Sequence, residues 1–375
     1  MGNSKFLHVV AFNVPYPPNY GGIIDIYYKL AAFKDANVKV ILHCFSYGRE
    51  KTEALDKLCH KVYYYKRKNL FRFFFSSLPY IVITRKDEEL VKNLTKDGHP
   101  VLFEGLHSSY FLLQCKSVGK NVFVRTHNIE HNYYGMLARS ERNLFKKAYL
   151  LTETRKLKAY ETILKRADQL FAISKTDNAH FNKHYGNSTF VSAFHQHNEI
   201  SSKTGKGDYI LFHGNLSVPE NEKALIYLVK NVFSKITHHV KIAGKNPSQF
   251  TQRLCNRHTH IELIGNPDDN QMKSLVNDAH INLLYTYQPT GLKLKLLHSL
   301  HGGRFCMANP LMLSGSGLDD LCEVYTTTDK AVQMIDELMK TPFDKSQITK
   351  RINLLAGYKN TVNIQKITNQ LSFCV

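Results

Sequence analysis

Short runs of Val, Ile, Leu, Phe and Tyr alternate with helical patterns from one end of the chain to the other. That alternation predicts βαβ units and parallel sheets. In the first half the candidate strands are Phe6–Phe12, Val38–Cys44, Lys61–Tyr65, Pro100–Phe103, Asn121–Arg125, Gln169–Ile173 and Thr189–Ala193. Helices fall between them, the longest from about Arg142 to Arg166, and together they read as one doubly wound sheet. From His195 to Asp208 (HQHNEISSKTGKGD) the text is polar, contains Ser and Gly and loses its period, as a domain linker does. The alternation then restarts. Strands are expected at Tyr209–His213, Val240–Ala243, His260–Ile264, Ile281–Tyr285, Phe305–Met307 and Glu323–Thr326, with a helix over Asn221–Ser234, another after Gly291, and helices to the end. The expected fold class is α/β. A first domain would span 1–195, a linker 196–208 and a second domain 209–350, with helices in 351–375 packing back on the first.

Size agrees with two domains, since 375 residues exceed the ~250–300 at which one core stops growing. Charge adds a question: 50 Lys and Arg against 31 Asp and Glu leave +19, which invites nucleic acid, an anionic membrane surface or acidic substrates. No RNA platform, zinc-finger or helix-turn-helix pattern accompanies that charge, so nucleic acid is not expected. Seven scattered cysteines without C-x-x-C read as reduced thiols in a cytosolic protein. The start, MGNSKFLHVVAF, is too short and β-like for a signal peptide, and Phe6 stands where a myristoylation signal wants Ser or Thr. No run reaches the ~18 apolar residues of a membrane span.

The chemistry concentrates in turns after strands, where open α/β sheets bind ligands. In Gln288–Asn309 (QPTGLKLKLLHSLHGGRFCMAN) a Thr290-Gly291 turn opens a Leu-rich helix, with Lys293 and Lys295 near its positive end. Lysine there is unfavourable unless an anion docks at the same place. Gly21-Gly22 in NVPYPPNYGGIID, and the turns FHGNLSVPEN and IAGKNP, again place Gly with polar or basic residues after a strand, letting backbone N–H groups approach an anion.

These stretches together resemble the GT-B glycosyltransferases, and among them the retaining family four. PYPPNYGGIIDIYYKLAAF is similar to the family's first glycine loop, FHGNLSVPENEKAL, VKIAGKNP and IELIGNPDD to its later strand-turns, and PTGLKLKLLHSLHGGRFCMAN to its donor signature. The resemblance implies two Rossmann-like domains facing across a cleft, a nucleoside-diphosphate sugar on the second, an acceptor on the first, retention at the anomeric carbon, and no metal or other cofactor. It casts Lys295 as the family's Lys and His127 of RTHNIEH as the histidine reaching the transferred sugar. Gly21, Gly22, Gly214, Asn215, Lys245, Gly265, Thr290, Gly291, Leu292, Lys293 and His298 become donor-side candidates. The chain departs from the pattern where the family has two acids: Thr290 and His298 stand there. Asn215 and Asn221 replace basic residues, leaving phosphate binding to Lys295, helped by Lys245 or Lys293.

HNIEH also spells H-x-x-E-H, a zinc-peptidase pattern, but it follows a strand directly and wants both histidines on one helix face. Asn128, Glu130 and His131 are instead acceptor-side candidates. In YYYKRKNLFRFFFSSLPY, Lys and Arg beside Phe73, Phe74 and Phe75 suit contact with an anionic lipid interface, whereas LTETRKLKAYETILKRAD reads as a solvated scaffold. The expected protein is a cytosolic glycosyltransferase at the inner membrane face, adding a hexose or related sugar to a glycan or lipid-linked glycan. The alternatives are a non-catalytic nucleotide-sugar or glycan-binding subunit and a sugar-nucleotide epimerase. Donor base, sugar, linkage and oligomeric state are not written in the sequence.

Overall fold

Every anticipated run became a strand, and all thirteen lie in two parallel sheets. The structure, a computed structural model, describes residues 5–371. One compact unit gathers residues 5–196, 290–292 and 357–371, the other 197–289 and 293–356. The first carries β1 (Lys5–Ala11), β2 (Val38–Ser46), β3 (Lys61–Lys66), β4 (Val101–Glu104), β5 (Val122–Thr126), β6 (Gln169–Ala172) and β7 (Ser188–Phe190), in the order β3-β2-β1-β4-β5-β6-β7. The second carries β8 (Ile210–Asn215), β9 (Val240–Lys245), β10 (Ile261–Gly265), β11 (Ile281–Leu284), β12 (Phe305–Ala308) and β13 (Glu323–Val324), in the order β10-β9-β8-β11-β12-β13.

Strands covered on both faces read as unbroken apolar runs. Accordingly β4, β5 and β11 are buried throughout. In each sheet the strand order reverses, beside β1 (Leu7 opposite Val40, His8 opposite Val101) and beside β8 (Phe212 opposite Ile242, Ile281 opposite Ile210). The crevice beyond the strand ends at such a reversal is where doubly wound sheets take ligands.

Each unit has its own core. In the first, Leu7, Val9, Leu30, Phe33, Leu42 and Leu102 pack with Ile364, Ile367 and Leu371. Those last three come from or just after helix Asn360–Thr368, which lies against helix Gly21–Asp35. Asn360 clips the join, accepting from His195 N at 3.1 Å and donating to His195 O at 2.7 Å. In the second, Ile210, Phe212, Leu225, Leu228, Ile242, Leu283 and Met307 form the centre. The polar stretch after His197 lies on the second unit: Ser201 N donates to His301 O (2.7 Å), Gly205 exchanges hydrogen bonds with Phe343 (2.8 and 3.0 Å), and Gly207 N donates to His280 Nδ1 (3.0 Å). Its polarity reflects a surface strap.

The six described cysteines are unpaired. Cys374 and the Met1-Gly2 start lie outside the described residues. Among the described residues no helix is long and apolar enough to cross a membrane. Because Ile367 is fully buried, Ile367→Ala should cost about 2–4 kcal/mol in urea unfolding followed by circular dichroism, whereas the exposed Ile352→Ala should change it by less than about 0.5 kcal/mol.

Candidate functional site

In the second unit the helix after the glycine turn spans Leu294–Gly302, with Lys293 as an extended N-cap whose side chain makes no capping bond. Gly291 has φ +64°, a left-handed conformation that a side chain would strain. Lys295 sits one residue into the helix, and its Nζ donates to Tyr285 O (3.3 Å) and Asn221 Oδ1 (3.5 Å), 5.9 Å from the Phe212 ring centre. Among the described residues no carboxylate is within ion-pair distance of it. Burial pulls the ammonium down to about 8, with the Glu220 carboxylate working against that. Glu220 itself accepts the Thr286 hydroxyl. The structure therefore holds a largely buried, unpaired cation at the positive end of a helix, an arrangement that lacks a negative charge.

Around Lys295 the turns after β8, β9 and β10 are stitched together. Leu216 N donates to Lys245 O (3.0 Å), Asn266 N to Gly244 O (2.9 Å) and Asn246 N to Asn266 Oδ1 (2.8 Å). This brings Gly214, Asn215, Lys245 and Gly265 into one cluster; Asn221 Nδ2 reaches Asn215 O at 2.9 Å, and Lys245 is exposed. His298 lies one turn along from Lys295. Its Nε2 is buried without a partner and its ring lies 4.8 Å from His197 and 5.8 Å from His213, which bonds Ser299 Oγ through Nε2 (3.2 Å). Burial, then His301, pushes His298 down to about 4, so it is a neutral imidazole near pH 7. Thr290, Gly291 and Leu292 group with the first unit and Lys293 with the second.

In the first unit His127 ends a buried chain of charges. Arg125 bonds Asp25 through Nε (3.1 Å) and Nη2 (2.9 Å), Lys29 Nζ joins Asp25 to Glu104 at 2.9 Å each, and Glu104 Oε2 lies 3.1 Å from His127 Nε2. Burial would raise the Asp25 carboxyl, but the Arg125 guanidinium and Lys29 overcome it and hold it far below the usual range. Asp25, Glu104 and His127 offer ligand-type atoms within 4.8 Å of one another, yet the Lys29 ammonium already stands between the two carboxylates. A carboxylate at Nε2 favours the tautomer protonated there, which leaves Nδ1 as an acceptor. That Nδ1 is buried and unpartnered.

The Phe12 ring packs edge-on to His127 (5.6 Å) and tilted against His107 (5.3 Å). A Cβ on Gly22 would come within 2.9 Å of Phe12 Cζ, so the glycine makes room for the ring; Gly21 starts the helix and faces open space. Glu130, 3% exposed, lies 3.8 Å from His107 Nδ1 with Oε1 unbonded. Burial, then the Glu161 and Asp177 carboxylates, pushes it up to about 8, so it is largely protonated near neutrality. Asn128 is half-buried. His131 turns elsewhere: its Nδ1 pairs with Glu161 (3.0 Å), a carboxylate shared with His180 and Tyr185. The helix begins only at Glu130, so the two histidines of HNIEH hold different acids and do not share a metal-type site.

Of the three phenylalanines singled out, only Phe75 is strongly exposed (79%). Phe73 is half-buried, and Phe74 stacks on Tyr80 (4.5 Å) and meets Tyr149 edge-on (5.6 Å). Phe71, which the sequence reading did not name, is 76% exposed. Also missed were Asp25, Lys29, Glu104 and Glu220. The i,i+4 spacing of Asp25 and Lys29 in an otherwise apolar helix was the available signal, because charges on a buried face need partners.

No family model matches the chain. An uncharacterized 44.6 kDa protein in the cps region of Klebsiella pneumoniae is 27% identical over 332 residues, covering 82% of this chain and 84% of that protein. Among solved structures, the lipopolysaccharide outer core galactosyltransferase WaaB superposes with TM-score 0.64 at 13% identity, over 98% of this chain and 99% of that one. Anabaena HepE in complex with UDP and glucose gives 0.63 at 9% (97% and 98%). The UDP-forming trehalose-phosphate synthase of Burkholderia xenovorans in complex with glucose-6-phosphate also gives 0.63 at 9% (97% and 99%). The chain has the two-sheet GT-B fold of these glycosyltransferases.

Two titrations follow. The folded protein carries the penalty of a charged Lys295 at every pH below about 8, and the penalty fades as pH rises from there towards 10.5. Lys295→Met should therefore stabilise the ligand-free protein at pH 7 by up to about 2–3 kcal/mol, a rise in Tm that disappears above pH 10.5. Glu130 runs the other way, with a folded value near 8 above an ordinary 4.5. The wild type should lose stability as pH rises from about 5 to 8, and Glu130→Gln should flatten that slope, a difference on the order of 3–5 kcal/mol in denaturation series across pH.

Proposed function

We propose that this protein is a retaining, metal-independent glycosyltransferase that moves a hexose or related sugar from a nucleoside-diphosphate sugar to a glycan or lipid-linked glycan in cell-surface polysaccharide synthesis. The observation that carries the reading is Lys295, a part-buried lysine at a helix N-terminus with no described carboxylate within ion-pair distance. A sugar diphosphate supplies one, and neutralising the leaving diphosphate is the electrostatic term such transfers need most. The neighbours are consistent with this: HepE holds UDP and glucose, WaaB is a galactosyltransferase, and the Klebsiella relative lies in a cps region.

In this reading Lys295 and the linked turns around Gly214, Asn215 and Lys245 hold the diphosphate, and neutral His298 offers Nε2 to a ribose hydroxyl. The acceptor oxygen attacks the anomeric carbon from the face the diphosphate leaves, the carbon–oxygen bond to phosphate breaks, and the leaving phosphate takes the hydroxyl proton. His127, tautomer set by Glu104, accepts a hydrogen bond from a sugar hydroxyl through Nδ1. With Thr290 and His298 in place of the two acids, no carboxylate stands at those two positions.

The reading includes action at the inner face of the cytoplasmic membrane. Phe71 and Phe75 in the turn Phe71–Phe75, and Leu144 and Phe145 at the start of helix Leu144–Tyr160, are 76–89% exposed. Phe74 meets Tyr149, and Lys156 Nζ reaches Phe74 O at 3.0 Å, so the two segments adjoin. No Asp or Glu occurs from Lys61 through Lys86. Exposed rings among bases match an anionic headgroup layer.

Thermal stabilisation and turnover across a panel of UDP- and GDP-sugars test the transfer. At least one donor should stabilise the wild type, and Lys295→Met should abolish that response; binding without turnover across varied acceptors would favour the non-catalytic subunit. Phe71→Ser with Phe75→Ser should cut sedimentation with anionic vesicles at least tenfold and spare the donor response. Unchanged sedimentation removes the membrane contact.

A further inference from the structure

Beyond the carboxyl ends of β1, β2, β3 and β4 the first unit gathers arginines that no acid neutralises. Arg85 is 5% exposed, donating through Nε to Phe12 O (2.9 Å) and through Nη1 to Ile81 O. Arg67 follows β3, donates to Thr84 Oγ1 (3.0 Å), and lies over Tyr47 (4.5 Å) and Tyr80 (5.9 Å). Arg49 follows β2 and lies over Tyr20 (5.1 Å). Among the described residues none of the three is within ion-pair distance of a carboxylate. Burial, then Arg67, pulls Arg85 down to about 9, so the two guanidinium groups work against each other. Tyr20 and Tyr47 are 43% and 52% exposed, and Asn13, after β1, reaches Tyr47 O at 3.1 Å.

A buried guanidinium satisfied only by carbonyls, beside a second one, is an unfavourable arrangement in an empty protein. A planar fork accepts a carboxylate or phosphate through two parallel hydrogen bonds, which would relieve it. Exposed tyrosine faces alongside suit a sugar ring. The same face holds His107 and His127, so the anion would bind beside groups suited to hydroxyls. We infer that Arg67 and Arg85 form an anion subsite in the first unit, and that the acceptor carries a carboxylate or a phosphate on or next to the sugar it presents. Calling that ligand the acceptor rests on the transferase reading; the subsite itself does not.

The test uses the full chain and three probes, inorganic pyrophosphate, glucuronate and glucose, titrated by calorimetry without donor. Pyrophosphate or glucuronate should bind at least tenfold more tightly than glucose, and whichever does identifies phosphate or carboxylate as the source. Arg67→Gln should weaken that binding about tenfold, and Arg67→Lys by about three- to fivefold, because the charge stays while the two-pronged hydrogen bond is lost. Raising salt from 50 to 300 mM should weaken it for the wild type. Should glucose bind as tightly as the anions, or the anion signal vanish in Lys295→Met while persisting in Arg67→Gln, the subsite is overturned. An Arg67-dependent anion signal in a protein that responds to no nucleotide sugar would keep the subsite and discard the transferase.

Discussion

Charge in a dry interior has to be balanced, and the first unit is built around one such balance. Arg125, Asp25, Lys29, Glu104 and His127 form an unbroken line through the end of the sheet, with the first four fully buried. Asp25 also accepts from Phe194 N at 2.8 Å, and Arg125 donates to Val191 O and Ser192 O. The line thus ties helix Gly21–Asp35, β4, β5 and the segment after β7 to one another. Such a network adds little net stability over apolar packing, but losing one member strands another buried charge at about 3–5 kcal/mol. Its strength is positional: it fixes where the His127 ring points.

Against that balanced interior, the ligand ends of both sheets are left unbalanced. Lys295 in the second unit and Arg67 and Arg85 in the first are cations without carboxylates, while Glu130 nearby is kept mostly neutral by burial. The surplus of +19 is therefore not only solubilising surface charge. Part of it lies in partly or fully buried cations that no described carboxylate neutralises, at a cost to stability.

The strands were legible because parallel strands covered on both faces are written as apolar runs, most plainly β4, β5 and β11, whereas β7 and β13 are short and only half-buried. The Thr290-Gly291 turn and Lys295 were legible because a basic residue at a helix start conflicts with the local field. Less could be read where a residue's meaning depends on a distant partner. Glu104 simply follows the apolar run Pro100–Phe103 in the sequence and Arg85 carries no local signal; only the fold sets them beside His127 and Phe12. Phe73 and Phe75, two residues apart in one aromatic run, differ because a tight turn half-buries one and exposes the other. The stretch LTETRKLKAYETILKRAD read as a solvated scaffold, and the helix that holds its first part begins earlier, at Leu144, where Leu144 and Phe145 are exposed.

The last helix has a consequence for how the protein is made. Ile364, Ile367 and Leu371 complete the core of the first unit, although some 160 residues of the second unit separate them from its other strands. A ribosome therefore finishes the first sheet long before it delivers the residues that cover it. The second unit can close its own core during synthesis, while the first waits with an apolar face uncovered until the residues after the second unit have emerged. On that order of events the first unit is the one more exposed to chaperones, and its core closes only once helix Asn360–Thr368 has left the exit tunnel.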